Sequence, residues 1–178
     1  MRSLFTSILI TLLLTGCSSM KSHNFTESQP KLSLFDYFKG NTSAWGIFED
    51  RFGNIRRQFQ VNIDGTIEGD ELILDEQFLY SDGEKDQRVW RIRKTGDQVF
   101  EGKAEDVIGT AKGVVQGNAL HWEYDLNLKI GKSFYKVHFD DWMFLQPGGV
   151  LINKASVSKF GVNIGNVILF FKKPVYGS

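Results

Sequence analysis

The sequence predicts an all-β fold, an antiparallel up-and-down barrel of about nine or ten strands after one short helix. From Ala44 onward, runs rich in Val, Ile, Phe, Tyr and Trp follow one another, and closely spaced turn pairs separate them. Closing such a meander removes its two exposed edges. A two-sheet sandwich is the alternative. Charges on the outward strand faces argue against a membrane-spanning barrel.

The first residues have the organisation of a secretory signal. Arg2 precedes an apolar run from Leu4 to Leu14, which is too short to cross a membrane as a helix. Leu14-Thr15-Gly16-Cys17 has the form of a bacterial lipobox and contains the only cysteine. We therefore predict a lipoprotein signal peptide over residues 1–16, with cleavage before Cys17.

The lipobox implies diacylglyceryl transfer to Cys17 and acylation of the new amino terminus with a chain such as palmitate. Ser18 stands where an aspartate would favour the inner membrane in Gram-negative lipoproteins. We therefore expect a lipid anchor in the outer membrane, with the protein on its periplasmic face. Residues 17–31 are mostly polar and are predicted to be a flexible tether.

The folded domain is predicted over residues 32–178. Leu34, Phe35 and Phe38 fall at helical spacing, with Ser33 as a possible cap and Gly40 as the end of the helix. The clearest strand alternation runs from Leu120 to Leu128. The predicted turns are Gly53-Asn54, Asp64-Gly65, Asp82-Gly83, Gly96-Asp97, Gly117-Asn118, Gly131-Lys132 and Pro147-Gly148-Gly149.

Composition excludes some classes of function. Basic and acidic residues are equal in number, 21 each, which argues against nucleic-acid binding. With its one thiol acylated, the mature chain cannot form a disulfide within itself. We expect a monomer without a cofactor.

Two charged residues fall on the apolar face of predicted strands. Glu76 shares a face with Leu74 and Phe78, and Arg88 shares one with Trp90. A five-residue loop over residues 81–85 would make Glu76 and Arg88 diagonal neighbours. The sequence therefore predicts an interior ion pair between them.

Arg57 and Asp141 fall on apolar faces by the same count. A buried charge needs a partner, water or a ligand headgroup. One interpretation is that the arginines bind the carboxylate or phosphate of an amphiphile whose tail contacts Trp45, Trp90 and Trp122. The alternative is that these charges are structural pairs, a turn cap and a side chain at the barrel mouth.

The motifs of common enzymes are missing from the sequence. It contains no G-x-S-x-G, no H-E-x-x-H and no paired cysteines, and its histidines are only His23, His121 and His138. His138 and Asp140 share an outward face, where a solvated surface is the more common arrangement. We predict no metal site. Glu76 is the candidate acid if the barrel acts on a lipid-like substrate.

The chain resembles an uncharacterised family of Gram-negative lipoproteins, a domain of unknown function, over essentially the whole predicted domain. Less closely it resembles lipocalins, which begin with a short helix, a glycine and a tryptophan on the first strand. Here Gly40 precedes Trp45 by five residues, and Lys172 or Lys173 replaces the closing-strand arginine. The segments that resemble the lipoprotein family are Phe35 to Gly40, Ala44 to Gly46, Asp50 to Gly53, Tyr80 to Glu84, Arg88 to Trp90, Asp106 to Gly109, Asp140 to Met143 and Gly161 to Lys172.

Three functions follow as hypotheses. The first is a lipid-anchored, periplasm-facing protein that binds a fatty acid or lipid inside the barrel. The second is a lipid-modifying enzyme that uses an interior carboxylate. The third is a structural or assembly lipoprotein of the envelope with a filled barrel and no small ligand. A non-enzymatic role is favoured.

Overall fold

The computed structural model describes residues 20–173, so the predicted signal peptide and Cys17 lie outside the described residues. Over these residues the chain forms one α-helix, α1 (Leu34–Phe38), and ten strands. The strands are β1 (Gly40–Asp50), β2 (Ile55–Glu68), β3 (Glu71–Tyr80), β4 (Lys85–Gly96), β5 (Val99–Lys103), β6 (Val107–Gln116), β7 (Ala119–Ile130), β8 (Ser133–Leu145), β9 (Val150–Lys159) and β10 (Val162–Lys172).

The ten strands form a closed antiparallel barrel. Each strand pairs with its neighbours in sequence, and β1 pairs with β10 to close the sheet, for example through Ala44 opposite Phe171. The predicted barrel is confirmed, and the sandwich alternative is wrong. Closure leaves the barrel without a sheet edge to protect.

One predicted turn lies inside a strand. Asp64-Gly65 continues β2, and the chain reverses at Gly69-Asp70 instead. A Cβ atom on Gly65 would lie 1.8 Å from the backbone oxygen of Phe38, at the end of α1. Gly65 is therefore needed for close approach of the helix, not for chain reversal.

Helix α1 closes one end of the barrel, named here the closed end. Leu34 and Phe38 are buried, and the Phe38 ring packs edge-on against Phe171. The Tyr37 hydroxyl donates a hydrogen bond of 3.1 Å to the backbone oxygen of Gly149. Ser33 precedes the helix as predicted, but its hydroxyl bonds the Asp36 carboxylate at 2.5 Å and caps no backbone group.

Part of the segment expected to be a flexible tether contacts the barrel. A 3-10 turn over Ser22–Phe25 places the Phe25 ring 5.8 Å from Trp142 and 5.2 Å from Phe144 on the outer wall near the closed end. The isolated aromatic residue explains this difference, because burying its ring removes apolar surface from water. Neither helical segment within residues 20–173 is long and apolar enough to cross a bilayer.

The opposite end, named here the open end, is formed by the turns of five hairpins, β1–β2, β3–β4, β5–β6, β7–β8 and β9–β10. These hairpins surround the entrance to the barrel interior. The fold therefore positions one accessible mouth at the end far from α1.

Candidate functional site

A cavity of about 660 Å³ occupies the barrel between the open end and α1. Leu34 and Phe38 form its floor, and Arg57, Lys129 and Ile130 lie at its mouth. Most of the wall between them is aliphatic and aromatic. The volume falls in the range of roughly 300–1,000 Å³ that is typical of small-molecule sites. The cavity differs from the filled barrel core that the structural-lipoprotein hypothesis predicts.

Two of the three tryptophans expected inside the barrel lie there. Trp90 and Trp122 are buried and pack edge-to-face, with ring centroids 5.8 Å apart. Trp122 also lies against the backbone of Gly102 and Gly113, where an added Cβ atom would approach its ring to 2.6 and 2.0 Å. These glycines let the indole lie flat on β5 and β6, which fixes one wall of the cavity.

Trp45 lies on the outer wall, which corrects the prediction that it lines the interior. It is 46 % exposed and packs beside Phe170, whereas its neighbour Ala44 points inward and is buried. The inward positions of β1 near Trp45 hold the small residues Ala44 and Gly46, and Phe59 and Leu169 pack beside Gly46. An alternating strand cannot place Ala44 and Trp45 on the same face.

Glu76 and Arg88 lie directly opposite each other on β3 and β4 rather than diagonally. The loop is shorter than predicted, because Tyr80 and Glu84 pair across a tight turn that contains Gly83 with a positive φ of 86°. A three-residue hairpin with an αL glycine is a standard geometry. The shorter loop shifts the register by two residues. Because side chains alternate between the two faces of a strand, Glu76 and Arg88 still point into the barrel, as predicted.

The ion-pair partner of Arg88 is Asp106, not Glu76 as predicted. The guanidinium donates to the Asp106 carboxylate at 2.6, 3.0 and 3.1 Å, a charge-assisted fork at the edge of the cavity. Asp106 lies in the β5–β6 turn, and its backbone oxygen accepts a hydrogen bond from Asn127. Sequence reasoning missed this contact because nothing local places the turn beside β4.

Glu76 lines the cavity at mid-depth. Burial raises the pKa of its carboxyl to about 7, although the charge of Arg88 and a polar contact with Trp90 act to lower it. The negative charges of Asp106 and Asp141 add to the increase. Glu76 therefore takes up or releases a proton near neutral pH.

Asp141 points into the barrel and is 5 % exposed. Burial raises its pKa to about 6, and contacts with Asn153, Tyr124 and Arg88 partly offset that increase. The Asn153 amide donates a hydrogen bond of 3.1 Å to the Asp141 carboxylate. The Asn153 side chain lines the cavity, and its fully buried oxygen has no hydrogen-bond partner within residues 20–173.

Arg57 lies at the mouth. Its guanidinium contacts Asp82 at 3.1 Å and Glu84 at 2.7 Å, and it stacks over the Tyr80 ring at 3.5 Å. Both carboxylates are more than 60 % exposed. Exposed pairs of this kind contribute little to stability, so Arg57 can exchange one of them for a ligand at small cost.

The interior therefore contains a polar belt, defined here as Glu76, Arg88, Asp106, Tyr124 and Asp141. Three carboxyl groups surround a single guanidinium in this belt, and Asp106 already occupies that guanidinium. The net negative charge of the polar belt would repel an anionic ligand group at this depth. Arg57 at the mouth is accordingly the better anchor for an anionic headgroup, and the belt suits a neutral polar group.

On the outer wall, the structure groups His121, Glu123 and Asp140, whose potential ligand atoms all lie within 4.8 Å of one another. His121 contacts Asp140 at 2.9 Å and stacks on Trp142. His138 bonds Asp125 instead of lying free beside Asp140. The sequence analysis placed His138 with Asp140 on one face, but His138 lies directly opposite Asp125 on β7, and Asp140 lies opposite Glu123 and diagonal to His121.

These features define the class: a closed, ten-stranded, calycin-like barrel with a ligand-sized cavity. The chain belongs to the family described as "Protein of unknown function (DUF3833)", whose model matches residues 11–173. Its fold is similar to that of the S-type phycobiliprotein lyase CPES from Guillardia theta, with a TM-score of 0.60 and 7 % sequence identity. The match covers 81 % of this chain and 92 % of the lyase. The search of curated protein sequences finds no match.

Proposed function

We propose that this protein binds one amphiphilic molecule, a fatty acid or lipid, inside the barrel. The observation on which the proposal depends is the cavity of about 660 Å³, which is apolar over most of its wall and opens at a mouth with basic side chains. The apolar tail would lie towards Leu34 and Phe38. Its headgroup would lie beside Arg57 and Lys129.

The polar belt adds selectivity to this arrangement. A hydroxyl along the ligand could donate to Glu76 or Asp141, and a carbonyl could accept a hydrogen bond from either carboxyl in its protonated form. A site built to hydrogen-bond such a group discriminates against analogues that lack it. A lipid with a polar group part-way along its chain would satisfy the mouth and the belt together.

Arg57→Gln is expected to weaken binding of an anionic fatty acid about tenfold, since a hydrogen bond to a charged group contributes about 1.5 kcal/mol. Affinity for the fatty alcohol of equal length should not change. Displacement of a fluorescent fatty acid from the full chain measures both affinities. Arg93→Gln, which removes an exposed arginine paired with Glu71 on the outer wall, is the control. Equal fatty-acid affinity in Arg57→Gln and the native chain would contradict this headgroup position.

We further propose that Cys17 anchors the protein in the outer membrane as a diacylglyceryl lipoprotein. The support is the lipobox-like Leu14-Thr15-Gly16-Cys17 and the apolar run before it. Labelled palmitate should enter the native chain in cells and should not enter the Cys17→Ser variant. The Ser18→Ala variant, as the control, should keep the label. Equal labelling of the native chain and Cys17→Ser would refute the anchor.

A lipid-modifying activity is the second candidate, because Glu76 faces the cavity with a pKa of about 7, near that of an effective general acid or base. Such activity predicts a change in membrane-lipid composition when the gene is deleted. Native protein should reverse the change, and Glu76→Gln should not. Identical lipids in all three strains would remove this candidate and leave the binding proposal intact.

A further inference from the structure

The five hairpins of the open end divide into two groups of opposite character. The β7–β8, β9–β10 and β1–β2 hairpins are consecutive around the barrel, because β8 pairs with β9 and β10 pairs with β1. The Arg51 amide also donates to the Ile164 oxygen at 3.1 Å, which joins two of the tips. We name residues 51–57, 128–136 and 158–164 the basic rim.

The basic rim exposes large apolar side chains at its tips. Phe160 is 94 % exposed, Phe52 74 %, Phe134 60 % and Ile130 59 %. They belong to three separate hairpins that project in the same direction. A monomeric protein gains nothing from exposing several aromatic rings together, so such clusters generally mark interaction sites.

The residues of the basic rim include basic side chains and no acidic one, and the neighbouring Asp50 is paired with Arg56. Arg51, Lys129, Lys132 and Lys159 form no ion pair with another residue of the described chain. Arg51 lies 4.7 Å from the centre of the Phe52 ring, and Lys159 lies 4.3 Å from that of Tyr135. Cations and exposed rings are therefore interleaved on one surface.

The other two hairpins are acidic. Residues 81–86 include Asp82, Glu84 and Asp86 with one lysine, and residues 104–106 include Glu105 and Asp106. The chain as a whole has a formal net charge of zero. The positive charge of the basic rim is thus a local feature rather than a reflection of overall composition.

We propose that the basic rim docks on the surface of an anionic phospholipid bilayer. Aromatic and aliphatic side chains that enter the headgroup region, together with lysines that face anionic lipids, are the two components of interfacial membrane binding. Lys129 and Ile130 line both the rim and the cavity mouth. In the docked protein, the mouth of the cavity would therefore face the lipid surface.

This inference goes beyond ligand binding, and either proposal can fail without the other. The described chain begins at the closed end, where Phe25 packs. Contact through the basic rim is therefore separate from an anchor attached upstream of residue 20. A complementary acidic protein surface is the competing partner, and the experiment below distinguishes it from a bilayer.

The test uses the full chain with Cys17→Ser, so that one introduced cysteine is the only thiol for an environment-sensitive fluorophore. Phe160→Cys reports on the basic rim, and Asp70→Cys reports on the exposed turn at the closed end. Vesicles are made of phosphatidylcholine alone or with 30 % phosphatidylglycerol, with or without a lipid-borne quencher. We expect a blue shift and quenching at position 160 with anionic vesicles only, and neither at position 70.

In the position-160 background, Lys132→Gln with Lys159→Gln should weaken vesicle affinity about 25-fold, since each basic residue contributes about a factor of five. Lys85→Gln, on the acidic side of the open end, should have no effect. Equal responses at positions 160 and 70 would overturn the proposal. A response at position 160 that is the same with neutral and anionic vesicles would also overturn it. The absence of any response to vesicles would overturn it as well, and that is the result expected if the partner is a protein.

Discussion

Replacing Arg88 with methionine is expected to lower the free energy of unfolding by about 3 kcal/mol at pH 8. The side chain is only 22 % exposed, and it is the cation that Asp106 and Glu76 share. Methionine leaves the cavity-lining Glu76 and the partly exposed Asp106 without a compensating charge. Breaking one partner of such a pair costs more than the pair itself contributes.

Urea denaturation of the native chain and of Arg88→Met measures this loss. Arg91→Met is the matched control, because Arg91 is three residues away on the same strand, points outward and is 55 % exposed in its pair with Glu71. That change should cost less than about 1 kcal/mol. The loss in Arg88→Met should also be smaller at pH 5, where Glu76 is protonated. Similar losses in the two variants would show that the polar belt is not electrostatically coupled.

Glu76→Gln is expected to raise the free energy of unfolding at pH 8 by up to about 3 kcal/mol and to change it little near pH 4.5. The pKa of Glu76 is about 7 in the folded chain, against an ordinary value of 4.5. The folded state therefore binds this proton more tightly than the unfolded state. The stability gained from protonation is fully present below pH 4.5 and is lost as pH rises through 7.

The free energy of unfolding, measured between pH 4.5 and pH 8, tests the direction of this pH dependence. The native chain should become more stable on mild acidification, and Glu76→Gln should lose most of that dependence. Asp141, with a pKa of about 6, should supply the remainder. Glu105→Gln, an exposed change at the open end, is the control and should keep the native pH profile. A native chain that loses stability steadily from pH 8 to pH 5 would contradict a raised pKa for the cavity-lining Glu76.

The barrel was predictable because the sequence repeats one pattern many times. Alternation fixes which side chains face inward, and it places Glu76, Arg88 and Asp141 inside even though the β3–β4 loop is shorter than expected. A register shift of two residues preserves the face of every side chain. The fold and the facing of these residues are therefore insensitive to small errors in loop length.

Contacts between distant segments were not predictable. Asp106 reaches Arg88 only because the short β5 brings its turn beside β4, and Phe25 finds Trp142 only after β8 is in place. Gly65 resembles a turn residue in sequence, yet it serves the approach of α1. Such features depend on tertiary geometry that local propensity does not encode.

Native mass spectrometry of the full chain, extracted gently from the membranes of its own cells, tests the central claim most directly. The account predicts one bound fatty acid or lipid per chain, displaced by added fatty acid and less abundant in Arg57→Gln than in Arg93→Gln. A chain that carries no such molecule, and that added fatty acids neither bind nor stabilise against heat, would contradict it.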